Sequence, residues 1–195
     1  MDIEINNLNK KYNDKVVLNN YSAVFKENSI SFITGTSGVG KTTLIRIIMG
    51  LESADSGEII GINNKKISAV FQEDSLCKNL SVLSNIKLVC ENVNNEEIEN
   101  NLKELDLTGY MNKRVRELSG GMKRRISILR ALLFDFDLLI MDEPFKGLDK
   151  ETKNKVMDFV INKIKNKTVI IITHDEEEIE YFKKYSNEII EVNNI

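Results

Sequence analysis

Nine consecutive residues, Gly35-Thr36-Ser37-Gly38-Val39-Gly40-Lys41-Thr42-Thr43, have the types and spacing to hold a polyphosphate. Two glycines bracket four residues and are followed by lysine and a hydroxyl side chain. In such a loop the glycines let backbone N–H groups turn inward, and a helix starting just beyond adds the positive end of its dipole. Lys41 has the reach for β- and γ-phosphates, and the Thr42 hydroxyl suits Mg²⁺. A second constellation is Leu138-Leu139-Ile140-Met141-Asp142-Glu143-Pro144. An apolar strand ending in two acids delivers both carboxylates to the C-terminal edge of a parallel sheet, where such folds bind ligands. There Asp142 can join the shell of a Mg²⁺ ion, and Glu143 can orient or deprotonate a water. Pro144, the only proline, turns the chain out of the strand. A third is Leu118-Ser119-Gly120-Gly121-Met122, followed by Ile126, Leu129 and Leu133 at helical spacing. Ser119 is a candidate N-cap, and two glycines before a helix would expose free N–H groups to a second phosphate.

The flanking residues supply the elements these groups need. Ser29-Ile30-Ser31-Phe32-Ile33-Thr34 reads as a buried strand before the glycine loop, and Leu44–Met49 as a helix that Gly50 ends. Ile67–Phe71, Leu138–Met141 and Thr168–Thr173 read as central strands, and Ile3-Glu4-Ile5 and Val16-Val17-Leu18 as short edge strands. Val156, Phe159, Val160 and Ile164 predict a helix from about Lys150 to Lys165. Between Leu80 and Leu118 no strand run occurs, and Ser81–Glu91 and Glu96–Leu105 read as helices. The alternation predicts an α/β fold on a mainly parallel sheet, with residues 80–118 a helical insertion in one domain spanning 1–195.

Bulk properties exclude several classes. A hydrophobic content of 42% and a charged content of 29% suit an ordinary globular chain. The net charge of −3 offers no field for nucleic acid, and Lys123-Arg124-Arg125 reads as the wet face of a helix. Cys77 and Cys90 lack metal-site spacing and suit a reduced compartment. Met1–Glu4 does not read as a signal peptide, and the longest apolar runs are strand-sized. Work at a membrane would need another chain to carry it there.

Taken together, the motifs resemble the ATP-binding cassette subunit of an ABC transporter, over essentially the whole chain and in the family's order. Gly35–Thr43 resembles the Walker A loop, Gln72 the Q-loop glutamine, Leu118–Met122 the signature sequence and Leu138–Glu143 Walker B. Gly147-Leu148-Asp149 resembles the D-loop, and His174, the only histidine, the switch histidine. The resemblance implies a P-loop NTPase fold with a small antiparallel β part. It implies ATP and Mg²⁺ as cofactors, with Thr42, Gln72 and Asp142 as metal ligands and Glu143, His174 and Lys41 as catalytic groups. Tyr12 falls where the family stacks an aromatic on adenine; the residues alone leave that and simple packing both open. Two copies are expected to pair head to tail, with Ser119 and Gly121 of one closing over the γ-phosphate held by Lys41 of the other. Permease subunits, an extracytoplasmic solute-binding protein and a place on the inner face of the membrane follow from the same resemblance.

Departures are small. Met122 stands in place of the usual glutamine, Thr42 in place of a frequent serine, and the short Gly61–Lys66 predicts a trimmed antiparallel part. Met122 with Asp142–Asp149 resembles subunits for uptake of nitrate, sulfonate, taurine or pyrimidine precursors, which favours an importer over an exporter. A soluble ABC ATPase of DNA repair or translation would carry a long coiled coil or a second cassette, and neither is seen. A small-molecule kinase leaves Leu118–Met122 and Asp149 unexplained, and a purely regulatory module leaves Glu143 and His174 without a task.

Overall fold

The structure, a computed structural model, describes residues 1–36, 38–90, 92–184 and, as backbone, 189–192. Its organising element is a five-stranded parallel sheet of β3 (Ile30–Ile33), β5 (Ile67–Val70), β6 (Leu138–Asp142), β7 (Thr168–Ile172) and β8 (Ile189–Val192), in the order β5-β6-β7-β3-β8. β6 and β7 are apolar almost without interruption because both faces are covered. Alternate residues serve two cores. Leu138, Ile140, Ile170 and Ile172 join one with α1 (Lys41–Ile48). Leu139, Met141, Val169 and Ile171 join the other with α4 (Gly120–Leu133), α5 (Lys150–Lys163) and α6 (Glu176–Lys183).

A three-stranded antiparallel sheet covers the α1 side, in the order β2 (Lys15–Phe25), β1 (Ile3–Tyr12), β4 (Ser56–Ile60). β1 and β2 run far beyond the short edge strands that Ile3–Ile5 and Val16–Leu18 suggest. Asparagines hide them: Asn7 and Asn20 both sit at φ 48, and the register shifts between Ile5 and Leu8. Such bulges break the period of two while still returning Leu8 and Tyr21 to the core. A two-residue turn, Asn13-Asp14, closes the hairpin, since Tyr12 pairs with Lys15. β4 has no buried residue to announce it. Gly57, at φ +90, lets it approach β1: a Cβ there would lie 2.5 Å from the Asn7 carbonyl oxygen.

Sheet order also corrects the strand reading. β5 is an edge strand, and β3, between β7 and β8, is central. Residues between β5 and α4 hold α2 (Val82–Lys87), α3 (Asn95–Glu104) and a 3-10 turn at Val115–Glu117, joined to the core through Val82, Ile86, Ile98 and Leu102. The helix expected over Ser81–Glu91 is shorter. Ser81 is its N-cap, Leu88 and Val89 beyond it are exposed, and Glu91 lies outside the described residues. Ser81 caps by accepting from the Ser84 N–H at 3.0 Å. The basic run is not a wet face: Arg124 is 5% exposed and Arg125 donates to the Leu105 carbonyl at 2.6 Å. Helical position, not charge, decides burial here, because Arg124 lies on the face of α4 shared with Ile128 and Ser127.

Candidate functional site

A cleft of about 370 Å³ opens at the C-terminal ends of β6 and β7 beside the glycine loop. From the glycine loop and α1 it receives Gly38, Gly40, Lys41, Thr42 and Thr43; from the β6 end, Asp142 and Glu143. Tyr12, Gln72 and His174 complete the expected groups, and Lys15, Val17 and Lys146 line it as well. Neither Lys15 nor Val17 carries a site signal in the sequence: Lys15 lies just before the strand expected at Val16–Leu18, and Val17 reads there as an ordinary strand residue.

The loop is shaped by its glycines. Gly40, at φ 115 and ψ 0, is the N-cap of α1, a conformation that a side chain would strain. Among the described residues no side chain caps this helix and its first turn holds no acid, so its N–H groups face the cleft unclaimed. Lys41 is 9% exposed and donates to the Gly35 and Thr36 carbonyls at 2.6 and 2.9 Å. Gly35 and Thr36 open on a neighbouring cavity that His174 also lines, and Val39 on another beside β2. Ser37 lies outside the described residues.

Opposite the loop, Asp142 is 3% exposed and accepts from the Thr42 hydroxyl at 3.1 Å. Burial pushes its carboxyl above the usual carboxylate range, against the bond from Thr42 and the nearby Lys41 and Arg124. A buried carboxylate beside a hydroxyl, with the Gln72 amide on the same cleft, is an oxygen donor set that suits a hard divalent cation. No group of three His, Cys, Asp or Glu is placed to hold a metal among the described residues, so phosphate oxygens would have to supply further ligands. The donors fit Mg²⁺ held jointly with a nucleotide.

Glu143 follows Asp142 in a left-handed conformation, φ 48, rare for a non-glycine residue. Its N–H donates to the Ile172 carbonyl at 2.9 Å, and its own carbonyl accepts from Arg124 at 2.7 Å. His174 Nδ1 stands 2.6 Å from Glu143 Oε1. An ionised carboxylate only accepts, so Nδ1 carries the proton in that state. His174 follows β7, whose successor Thr173 is buried and donates to Glu178 at 2.7 Å. Glu178 and Asp175 in turn share Lys153 of α5.

The signature residues lie elsewhere. Gly120 and Gly121 line a separate cavity of about 450 Å³ with Gln72, Glu73, Asp74, Arg124, Lys146 and Gly147. Neither Leu118, Ser119, Met122 nor Asp149 lines the first cleft. Leu118 is buried, whereas Ser119 is an exposed N-cap accepting from the Met122 N–H at 3.3 Å. The glycines are therefore the first turn of α4, not a loop before it. Asp149 caps α5 through the Thr152 N–H at 3.0 Å. Gln72 and Lys146 belong to both cavities.

Comparison with known proteins agrees with this geometry. A model described as "ABC transporter" matches residues 18–146. The spermidine/putrescine import ATP-binding protein PotA of Mycoplasma mycoides subsp. mycoides is 34% identical over 194 residues, covering 90% of this chain and 55% of that protein. The sulfate/thiosulfate import ATP-binding protein CysA of Mannheimia succiniciproducens is 34% identical over 199 residues, covering 91% and 56%. The chain thus spans about half the length of the curated relatives it matches. The cassette MJ0796, solved as a dimer in a post-hydrolysis state with ADP and Pi, superposes with TM-score 0.82 at 28% identity, covering 97% of this chain and 94% of that one. The matched residues run from β2 through the Walker B strand, more than half of the chain, and the chain belongs to the ABC transporter family.

Proposed function

We propose that the chain binds ATP with Mg²⁺ and hydrolyses it as the ATP-binding subunit of an importer of a small solute. One observation carries most of the reading. The Glu143–His174 pair stands in the same cleft as Lys41, Thr42 and Asp142, so a base, a cation and a metal-holding carboxylate surround one volume. Polyphosphate enters by exchanging the Gly35 and Thr36 carbonyls on Lys41 for phosphate oxygens, while the unclaimed N–H groups of α1 take others. Thr42, Asp142 and Gln72 would hold Mg²⁺, which neutralises charge on the phosphates when bound. Glu143 takes the proton of a water as its oxygen bonds to the γ-phosphorus and the bond to the ADP bridging oxygen breaks. His174 orients that carboxylate through Nδ1, and Lys41 balances the charge on the departing phosphate. Tyr12, 43% exposed at the mouth, offers a face to the base.

The reading includes a head-to-tail pair, in which Ser119 and Gly121 of a second copy face the γ-phosphate. Support comes from the dimeric ADP- and Pi-bound relative and from the exposure of the α4 start away from its own cleft. Both curated relatives are named as import proteins, which supports permease subunits, a cytoplasmic face and, in an importer, a solute-binding protein. No helix among the described residues is long and apolar enough to cross a membrane. The likeness to nitrate, sulfonate and taurine subunits rests on Met122 and Asp142–Asp149, while these relatives are named for polyamines and sulfate. The proposal therefore stops at a small solute. Glu143→Gln tests it: turnover should vanish while ATP binding persists and favours the pair. Normal turnover in that variant would falsify the base assignment.

A further inference from the structure

We propose that Arg124 is a positioning residue for hydrolysis: its guanidinium clasps the loop after β5 and the backbone of Glu143 to the signature helix, so that the three move together. The inference rests on the reading of Glu143 as the base. Arg124 leaves the second turn of α4 and is 5% exposed. Nη1 donates to the Phe71 carbonyl at 2.5 Å, and Nη2 to the Glu143 carbonyl at 2.7 Å. The Asp74 carboxylate stands 3.8 Å from Nη1, beyond hydrogen-bond reach. A guanidinium buried to this degree costs free energy unless its donors are used, and here two are spent on backbone carbonyls of two different loops. Burial lowers the affinity of Arg124 for its proton, and Asp74, Asp142 and Glu143 raise it.

Both clasped residues matter to the cleft. Phe71 directly precedes Gln72, which lines the nucleotide cleft and the signature cavity alike. Glu143 is left-handed at φ 48, a backbone state that persists only where its neighbours over-determine it. Its N–H is held by Ile172 of β7 and its carbonyl by Arg124 and the Lys146 N–H at 3.3 Å. With both ends of that residue pinned, its carboxylate is aimed at His174. The same helix holds the next part of the loop, since Arg130 donates to the Ser75 carbonyl at 2.8 Å. From α2, Asn85 brackets Cys77, accepting from its N–H and donating to its carbonyl at 2.7 and 3.1 Å. The planar fork is what allows one side chain to serve two divergent acceptors, and an ammonium does this poorly.

The test compares Arg124→Met, Arg124→Lys and Glu143→Gln in the full chain. Arg124→Met should lower kcat by about thirtyfold per folded chain, with KM and nucleotide affinity changed by less than about threefold, because it disturbs the base and not the phosphate loop. Arg124→Lys should recover part of kcat, and serves if the methionine chain fails to fold. Hydrogen exchange in peptides covering Phe71–Cys77 and Glu143–Lys146 should quicken in both variants while α1 stays unchanged, a readout independent of turnover. Unchanged exchange in those peptides, or a wild-type kcat per folded chain, overturns the clasp. Wild-type turnover in Glu143→Gln instead overturns the base reading, and with it the route from Arg124 to chemistry, while the exchange data still decide whether the clasp exists.

Discussion

Two helix starts, α1 and α4, carry glycine at the N-cap and at the first helical residue respectively, and they are finished in opposite ways. α1 has Gly40 as N-cap and no side-chain cap among the described residues; α4 has Ser119, whose hydroxyl accepts from Met122. The first lies in the cleft with Lys41, Thr42 and Asp142; the second opens on a separate cavity with Gly147 and Gln72. The difference teaches which end is built to be completed by a ligand. An uncapped N-terminus holding a lysine and no acid is a site in itself, whereas a serine-capped one is already partly satisfied and waits for a surface to be pressed against it. In our reading the two ends meet only across a pair of chains.

Several substitutions would break or sharpen this contrast. Lys41→Met should have the largest effect, weakening ATP binding by about two orders of magnitude, since about 3 kcal/mol is typical for losing one partner of a desolvated charge pair. Isothermal titration checks this, and the melting temperature should hold because, among the described residues, the Lys41 side chain hydrogen-bonds to loop carbonyls only. Gly40→Ala should cost about 2 kcal/mol of stability through strain at φ 115, and should weaken nucleotide binding as well, which denaturant unfolding and titration resolve together.

Lys153→Met probes a third helix start, at α6. There Asp175 caps the Glu177 N–H at 2.9 Å and pairs with Lys153, and that bond holds the Asp175 carboxyl below its ordinary range. A depressed carboxylate stabilises fully above its unfolded value, 3.8, and the contribution is lost as pH falls through the lower folded value. The variant should therefore be less stable by about 1–3 kcal/mol at neutral pH, with the deficit shrinking in acid, by thermal unfolding across pH. Ser119→Ala is expected to be mildest in stability, about 1 kcal/mol, with monomer ATP affinity unchanged and turnover reduced. A loss of ATP affinity in the isolated chain would show that α4 serves its own cleft.

The contrast also explains what could be read from the sequence. Phosphate loop, acidic strand end and switch histidine are local words, and the fold brings Gly38, Gly40, Lys41, Thr42, Thr43, Asp142, Glu143 and His174 to one cleft. β1 and β2 look short in the sequence because asparagines at positive φ take their bulges without disturbing the core, which no period of two reveals. Lys123-Arg124-Arg125 looks wet in the sequence because charge is visible there and the partners that bury a charge are not. Arg124 is buried by partners at Phe71 and Glu143, 53 and 19 residues distant. Glu176–Glu178 form the first turn of α6, and only the fold ties Glu178 to Thr173 and Lys153 beneath His174.

The central claim, that the phosphate loop binds nucleotide alone but needs a second copy for hydrolysis, is tested most directly by turnover against chain concentration at saturating ATP, with ATP affinity measured in parallel. The account predicts a specific activity that falls towards zero on dilution while affinity stays constant. A specific activity that stays constant through dilution to monomer, confirmed by sedimentation in the same buffer, would contradict it.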